Sequence, residues 1–328
     1  MAGPVSAGTP EFRLCLIATQ PRTRPQTLSC RCGIHLLMEP AQELLQGTTV
    51  TAGGRAYQLT LYREDLSALY PGMTRYVLEA VAPGGERARY ITNTFEYSPL
   101  LPGSAESAAR EMMAGWEDDL HNGPDRIFSG YPARTCTTLP GPPLDLLVLQ
   151  GSPRPDGNSA IIASWAVAAA EAVGKNTEVI YPHDLAIHPC IGCYQCYNTG
   201  TCVFDDDMNE IIAAVRAASV IIVCSPVYSN TVPAGLKLVI DRMQAYHAER
   251  ALFGGRTDQH GLIFSVAGRE GKENFTCITR VLHAFFHTLG VPPSGEMLID
   301  RADTIKDIRT LPGKEADVTA MVKRLLFA

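Results

Sequence analysis

Four of the ten cysteines lie within thirteen residues, close enough along the chain to surround one small inorganic centre. Two residues separate Cys190 from Cys193 and Cys193 from Cys196, and five residues separate Cys196 from Cys202. Structural zinc is usually bound by two cysteine pairs with a longer loop between them, whereas three cysteines at this spacing are typical of iron–sulfur ligation. The spacing therefore favours an iron–sulfur cluster, and the alternatives are zinc or cysteines that bind no metal.

A polar loop over residues 151–159 is the second candidate for chemistry. It follows an apolar segment, precedes a helical pattern and has the sequence Gly-Ser-Pro-Arg-Pro-Asp-Gly-Asn-Ser. Such a loop can bind phosphate, because the free N–H groups and the dipole of the helix attract an anion. Its glycines match neither dinucleotide-binding nor P-loop spacing, but Ser152, Arg154, Asn158 and Ser159 suit a terminal phosphate monoester. The loop favours a mononucleotide such as FMN over NAD, unless Asn158 or Ser159 only caps the helix.

Two further loops follow apolar segments and carry polar or glycine residues. Residues 226–230, Pro-Val-Tyr-Ser-Asn, form the first, and Gly268 lies in the second. A flat ring bound beside residues 226–230 would meet Tyr228 and backbone groups that can tune a flavin. Tyr228 alone is equally well explained as an exposed loop aromatic, but the three loops together predict one ligand site.

Strands and helices that alternate from residue 144 onward must position these loops. We expect strands at 144–149, 178–181, 219–224, 261–266 and 296–299. We expect helices at 158–173, 207–217, 233–244, 274–289 and 314–326. This α/β alternation predicts a flavodoxin-like, doubly wound parallel sheet of five strands in the order 2-1-3-4-5, with helices on both faces. Ligands of such sheets bind at the carboxyl ends of the strands, where all three loops and the cysteines are expected.

The first part of the chain has a different pattern and contains no chemical motif. We expect a small α+β domain over residues 1–140 and an FMN-binding domain over 141–328, with a cysteine-rich insertion at 188–203. The break is placed at 137–143, where Pro and Gly are frequent. The expected elements of the first domain are a strand at 12–20, hairpins around 53–54 and 83–85, and a helix over 104–121 that Ser104 caps.

Several other residues have structural explanations. The aspartates at 205–207 precede a helix and suit its N-terminus, and His183 and His188 are expected to be structural. The six remaining cysteines are expected to pack in the core. They are Cys15, Cys30, Cys32, Cys136, Cys224 and Cys277.

Composition excludes several classes of protein. Apolar residues make up 46% and charged residues 19%, as in an ordinary globular chain. A net charge of −6 argues against a nucleic-acid or anionic membrane partner. The first residues lack the pattern of a signal peptide, and the longest apolar run, 161–170, is about half of a membrane span. We therefore expect a soluble cytoplasmic protein whose thiols stay reduced.

Three segments together, 151–159, 190–208 and 225–242, resemble the NADPH-dependent FMN reductase family and most closely its iron–sulfur flavoprotein branch. The resemblance covers residues 144–328. It implies that Ser152, Arg154, Asn158 and Ser159 bind the FMN phosphate. It implies that the isoalloxazine lies near Pro226, Val227, Tyr228, Ser229 and Asn230. The predicted strand order places the loop with Gly268 on the same rim. The resemblance also implies a [4Fe-4S] cluster on Cys190, Cys193, Cys196 and Cys202.

We therefore expect an oxidoreductase that passes electrons between NAD(P)H or ferredoxin, FMN and the cluster, and on to a small-molecule or protein acceptor. Members of the family are commonly dimers or tetramers, so a homodimer or tetramer is expected. Because the chemistry is that of the flavin, no separate catalytic residue is expected, and Lys237, Asp241 and Arg242 are assigned helix and interface roles. The alternatives are a cluster-free NAD(P)H-dependent flavin or quinone reductase, and a redox-sensing or carrier module that docks a partner through its first domain.

Overall fold

The structure is a computed structural model that describes residues 40–132 and 143–328 of the chain. The first range contains a four-stranded sheet and the second a five-stranded sheet. The predicted strand at 12–20 and the cysteines at 15, 30, 32 and 136 lie outside the described residues. Of the predicted break at 137–143, residues 137–142 also lie outside the described residues.

Residues 40–132, called the amino-terminal unit below, form an antiparallel meander with helices packed against it. The strands are β1 (Gln42–Ala52), β2 (Arg55–Asp65), β3 (Thr74–Val81) and β4 (Arg87–Asn93), and the helices are α1 (Ala105–Asn122) and α2 (Asp125–Gly130). Both predicted hairpins and the predicted helix are confirmed, since Ser104 caps α1 by accepting a hydrogen bond from the Ser107 N–H. Trp116 of α1 is buried in the same hydrophobic core as Leu59 and Leu78 of the sheet.

The second sheet is entirely parallel and has the strand order β6-β5-β7-β8-β9. Its strands are β5 (Leu144–Gln150), β6 (Thr177–Ile180), β7 (Ala218–Pro226), β8 (His260–Val266) and β9 (Pro293–Ile299). This is the predicted flavodoxin-like order 2-1-3-4-5. The long apolar runs arise because both faces of the central strands are buried: Leu147 and Leu149 contact one core, and Leu146 and Val148 the other.

Helices cover both faces of the parallel sheet. They are α3 (Asn158–Glu171), α4 (Cys196–Thr199), α5 (Met208–Ala217), α6 (Ala234–Arg242), α7 (Gln244–Phe253), α8 (Thr276–Leu289), α9 (Ala302–Ile305) and α10 (Lys314–Leu326). Short 3-10 helices lie at Thr94–Glu96, Pro182–Asp184, Lys272–Phe275 and Ile308–Thr310. The core on one face includes α3 and α10, and the core on the other includes α5, α6, α7 and α8.

Two expectations about this part of the chain were wrong. The single helix predicted at 233–244 is two helices that meet at Met243, and α7 was missed. Cys277 is exposed rather than packed, because its neighbour Ile278 occupies the core-facing position at that turn of α8. Cys224 is buried in β7, as expected.

No helix within residues 40–132 and 143–328 is long and apolar enough to span a membrane.

Candidate functional site

The loop between β5 and α3 is held tightly against the neighbouring strand. Gly151 donates its N–H to the carbonyl oxygen of Cys224 at 2.8 Å. A Cβ at this position would lie 2.9 Å from the Leu236 side chain and 3.0 Å from the Ser225 Oγ. Only glycine therefore lets β5 and β7 approach this closely at their carboxyl ends.

The four side chains predicted to bind phosphate have different environments. Ser152 is buried and its Oγ accepts a hydrogen bond from the Arg154 N–H at 3.1 Å, while the Arg154 side chain is exposed. Ser159 is buried in the first turn of α3, at the end of the helix whose dipole attracts an anion. Asn158 instead bonds to the backbone at 306–308, donating to the Lys306 oxygen at 3.2 Å and accepting from the Ile308 N–H at 3.1 Å.

A buried amide lies directly beside this loop. Gln150, the last residue of β5, accepts a hydrogen bond from the Ser152 N–H at 3.2 Å through its Oε1. Its Nε2 is buried and has no hydrogen-bond partner among the described residues. An unpaired buried donor is costly, so this atom suits an acceptor supplied by a ligand at the loop.

The loop after β7 forms a tight turn at the same edge of the sheet. The backbones of Tyr228 and Thr231 exchange two hydrogen bonds of 2.9 Å, and Ser229 and Asn230 between them both have left-handed backbone angles. This is the geometry of a type I′ turn, and it leaves the Tyr228 side chain 42% exposed. The Val227 N–H donates to the Val266 oxygen at 2.8 Å, which ties the turn to the loop that contains Gly268.

The predicted FMN residues are therefore brought together at the carboxyl edge of β5, β7 and β8. Asn158 lies at the same edge, but its side-chain amide is hydrogen-bonded to the backbone at 306–308 and links the start of α3 to that segment.

The four clustered cysteines line one cavity of about 320 Å³ beyond the end of β6. Residues 190–195 form an irregular stretch, and Cys196 opens the short helix α4. Gly200 ends α4 with φ +74°, and its N–H donates to the Cys196 oxygen at 2.7 Å. Across the described part of the chain, no three His, Cys, Asp or Glu side chains are arranged to hold a single metal ion.

Burial controls the chemistry of these thiols. It raises the pKa of Cys196 to about 12, and the neighbouring cysteines act in the same direction. Burial is also the main cause of the raised pKa of Cys193. Such thiols stay protonated at neutral pH unless a positively charged centre binds the thiolate form, as iron–sulfur ligation requires.

Arg242, which lines this cavity, is one member of a buried ion pair. Arg242, at the end of α6, is 1% exposed and contacts both carboxylate oxygens of Asp206 at 2.7 and 2.9 Å. It also donates to the His188 oxygen at 2.6 Å, while its Nε is buried without a partner among the described residues. Burial opposes the ionisation of Asp206, but Arg242 and the N–H of His188 lower its pKa to about 2.

The sequence assignment of the aspartates was therefore only partly right. Asp206 does accept a hydrogen bond from the Met208 N–H at 3.2 Å at the start of α5, but its main partner is Arg242. Asp207 accepts from the Ala186 N–H at 2.7 Å. Lys237 and Asp241 form an exposed pair on α6, in agreement with a helix role.

Comparison with known proteins identifies the family. The profile of the NADPH-dependent FMN reductase family matches residues 144–304. An iron–sulfur flavoprotein of Methanocaldococcus jannaschii is 35% identical over 143 residues, which are 44% of this chain and 72% of that protein. The chain belongs to the NADPH-dependent FMN reductase family. An iron–sulfur flavoprotein of Methanosarcina thermophila is 32% identical over 149 residues, 45% of this chain and 75% of that protein.

A solved structure of this fold is also similar. It is an FMN-dependent NADH-azoreductase from Bacillus anthracis strain Ames Ancestor in complex with FMN, 14% identical, with a TM-score of 0.45. The likeness covers 56% of this chain and 99% of the azoreductase chain.

Membership of this family makes the chain an oxidoreductase of the NAD(P)H-dependent FMN reductase type. Every predicted site residue lies within the matched range 144–304, whereas the amino-terminal unit lies outside it. Tyr70 of that unit nevertheless lines the cysteine cavity together with Arg242. No local sequence pattern signalled either contact, because each depends on residues far apart in the chain.

Proposed function

We propose that the protein is an electron-transfer iron–sulfur flavoprotein, with FMN at the carboxyl edge of the parallel sheet and a [4Fe-4S] cluster on Cys190, Cys193, Cys196 and Cys202. The observation that carries the proposal is the single cavity lined by all four thiols, in a chain that also has the phosphate-binding type of loop. The names of the related iron–sulfur flavoproteins support it.

The residues around the β5–α3 loop fit FMN. Ser152, Ser159 and the first N–H groups of α3 offer donors to a phosphate dianion, and the exposed Arg154 offers the positive charge. The loop over 226–230 presents Tyr228 and backbone polar groups to the ring. When bound, FMN supplies the hydride and electron chemistry, and the protein contributes binding and orientation.

The residues around the second cavity fit a cluster. Four thiols provide the ligand set of a [4Fe-4S] cluster, and Arg242 lines the same cavity. When bound, the cluster exchanges single electrons. Helix α6 starts after the 226–230 loop and ends at this cavity, and its nine residues span about 13 Å. A short path between the two sites within one chain supports electron transfer between them.

The remaining parts of the proposal follow from the family. NAD(P)H or ferredoxin would be the donor, a small molecule or a protein the acceptor, and the protein a homodimer or tetramer in the cytoplasm. Residues 1–140 and 141–328 would be separate domains, with 188–203 as the cysteine-rich insertion.

Anaerobic purification followed by flavin, iron and sulfide analysis tests the proposal. We expect about four iron and four sulfide atoms per FMN, and a broad iron–sulfur absorbance under the flavin bands. Titration with NAD(P)H or reduced ferredoxin should reduce both centres. If the protein contains FMN but no iron, it is a cluster-free flavin or quinone reductase. If reduction of the cluster never leads to reduction of the flavin, electron transfer between the two centres is excluded.

Alanine at Arg154 should weaken FMN binding. Loss of a charge-assisted hydrogen bond to phosphate corresponds to a roughly ten- to hundredfold higher dissociation constant. Quenching of flavin fluorescence on titration of FMN with the apoprotein measures it. Arg110→Ala, which removes an exposed arginine from α1, is the matched control and should bind FMN like the wild type. Equal affinity for FMN in both variants would show that Arg154 does not bind the phosphate.

A further inference from the structure

The amino-terminal unit contacts the cysteine segment through buried polar groups. Asn198 lies in α4, between Cys196 and Cys202, and is 5% exposed. Its Oδ1 accepts a hydrogen bond from the Asn93 Nδ2 at 2.8 Å. Its Nδ2 donates to the Glu96 carboxylate and to the Ile91 oxygen. The side chain of Asn198 is thus satisfied entirely by residues of the other unit.

The same unit also binds the backbone of the segment. Arg75 of β3 pairs with buried Glu64 at 2.5 Å, and its Nη1 donates to the carbonyl oxygens of Tyr197 and Asn198 at 3.2 and 3.3 Å. Asn93 donates to the Tyr194 oxygen at 3.2 Å. Three carbonyl groups on either side of Cys196, those of Tyr194, Tyr197 and Asn198, are therefore held by the amino-terminal unit.

Aromatic rings complete the contact at the cavity wall. The ring centroid of Tyr70 lies 5.5 Å from that of Tyr194 and 5.6 Å from that of Tyr197, both in edge-to-face geometry. The hydroxyl groups of Tyr70 and Tyr194 are 3.2 Å apart. Tyr70 also lines the cavity beside the cysteines, so the wall is incomplete without the amino-terminal unit.

The cysteine segment needs such support. Helix α4 has only four residues, too few to be stable on its own. Tyr194, between Cys193 and Cys196, has φ +58°, a left-handed conformation that is unfavourable for a bulky residue and persists only where its surroundings enforce it. Tyr194 is the residue that Asn93 binds through the backbone oxygen and that Tyr70 contacts through its ring and hydroxyl group.

We propose that the amino-terminal unit is a cover for the cluster site: it holds residues 194–198 in the ligand-presenting conformation and closes the cavity at Tyr70. The inference rests on the proposed function, since it takes the cavity to be the cluster site. Its consequence is kinetic retention of the cluster. Iron should leave the intact protein slowly, because the segment must first separate from Asn93, Glu96 and Arg75.

The variant Asn198→Asp tests the contact directly. It keeps the size of the side chain but replaces the donor that faces the Glu96 carboxylate with a second carboxylate. We expect the amides of residues 194–200 to exchange hydrogen roughly tenfold faster in metal-free protein, as the loss of a buried hydrogen bond to a charged group implies. In the anaerobically loaded protein, release of iron to bipyridyl should accelerate by a similar factor.

Three further variants make the result specific. Asn122→Asp applies the same substitution to an exposed asparagine of α1 and should behave like the wild type. Glu96→Gln combined with Asn198→Asp restores a donor opposite the new carboxylate and should recover slow exchange. Tyr70→Ala removes the ring without adding charge and should also accelerate both processes. Emission of buried Trp116, recorded in a Trp165→Phe background, reports whether the amino-terminal unit stays folded.

The outcomes separate this inference from the proposed function. Absence of iron from the wild-type protein counts against the cluster, while hydrogen exchange in the metal-free protein still tests the contact. Unchanged exchange at 194–200 in both Asn198→Asp and Tyr70→Ala would overturn the inference even where iron is present. If Asn198→Asp unfolds the amino-terminal unit, hydrogen exchange at residues 194–200 in Tyr70→Ala decides whether the inference holds.

Discussion

Serine at Cys193 should abolish iron binding while FMN stays bound. Cys193 lines the cavity with the three other clustered cysteines and is partly buried there. A serine hydroxyl does not ionise near neutral pH and cannot replace a thiolate ligand. We therefore expect iron to fall from about four atoms per chain to near zero after anaerobic purification. The β5–α3 loop shares no residue with this cavity, so the flavin content should not change.

The control for this experiment is Cys277→Ser. Cys277 is exposed on α8 and is not among the residues that line the cavity. Its iron and sulfide content should equal that of the wild type. Full iron content in both Cys193→Ser and Cys196→Ser would show that these cysteines are not the ligands. Loss of flavin together with iron from Cys193→Ser would instead show that the two sites depend on each other.

The sequence allowed the parallel sheet to be predicted because its central strands are buried on both faces. Residues Leu146 to Leu149 of β5 are all apolar and buried, without the alternation of apolar and polar residues that is typical of a surface strand. A loop and a helical pattern follow β5 in the sequence. The turn at Gly53-Gly54 and the helix cap at Ser104 could also be predicted, since each is determined by residues within a few positions along the chain.

Contacts between distant residues could not be predicted in this way. Arg242 and Asp206 are 36 residues apart, and Asn198 and Glu96 are 102 residues apart. Each of these residues, taken alone, is explained by a helix or turn role. Helix α7 was missed for a local reason: it continues directly from α6 through Met243, without a glycine or proline to mark the boundary.

Methionine at Arg242 should destabilise the protein strongly. The substitution leaves Asp206, whose side chain is 4% exposed, as a buried carboxylate without its main partner. Breaking one side of a buried ion pair costs about 3–5 kcal/mol of unfolding free energy. Urea unfolding followed by tryptophan fluorescence measures this change. The double variant with Asp206→Asn removes the unpaired charge and should recover part of the loss.

The pH dependence of stability should change sign in Arg242→Met. In the wild type the pKa of Asp206 is about 2, below its ordinary value of 3.8. Ionised Asp206, bound by Arg242 and His188, therefore contributes about 2 kcal/mol above about pH 5, and this contribution is lost as the pH falls toward 2. Burial is the largest single influence on Asp206, and without Arg242 it is opposed only by hydrogen bonds from His188 and Met208. We therefore expect the pKa of Asp206 to rise above its ordinary value in Arg242→Met. The folded variant then binds more protons than the unfolded chain, so its stability should decrease as the pH rises from about 4 to 6.

Lys237→Met in the same helix is the matched control for this change of sign. Lys237 and Asp241 form an ion pair with a nitrogen–oxygen distance of 2.7 Å, but both side chains are nearly half exposed. Removing such an exposed pair changes the free energy of unfolding by less than about 1 kcal/mol. The pH profile of Lys237→Met should therefore run parallel to that of the wild type. If the pH profile of Arg242→Met is also parallel to that of the wild type, water reaches Asp206 and the wall of the cysteine cavity is open at this point.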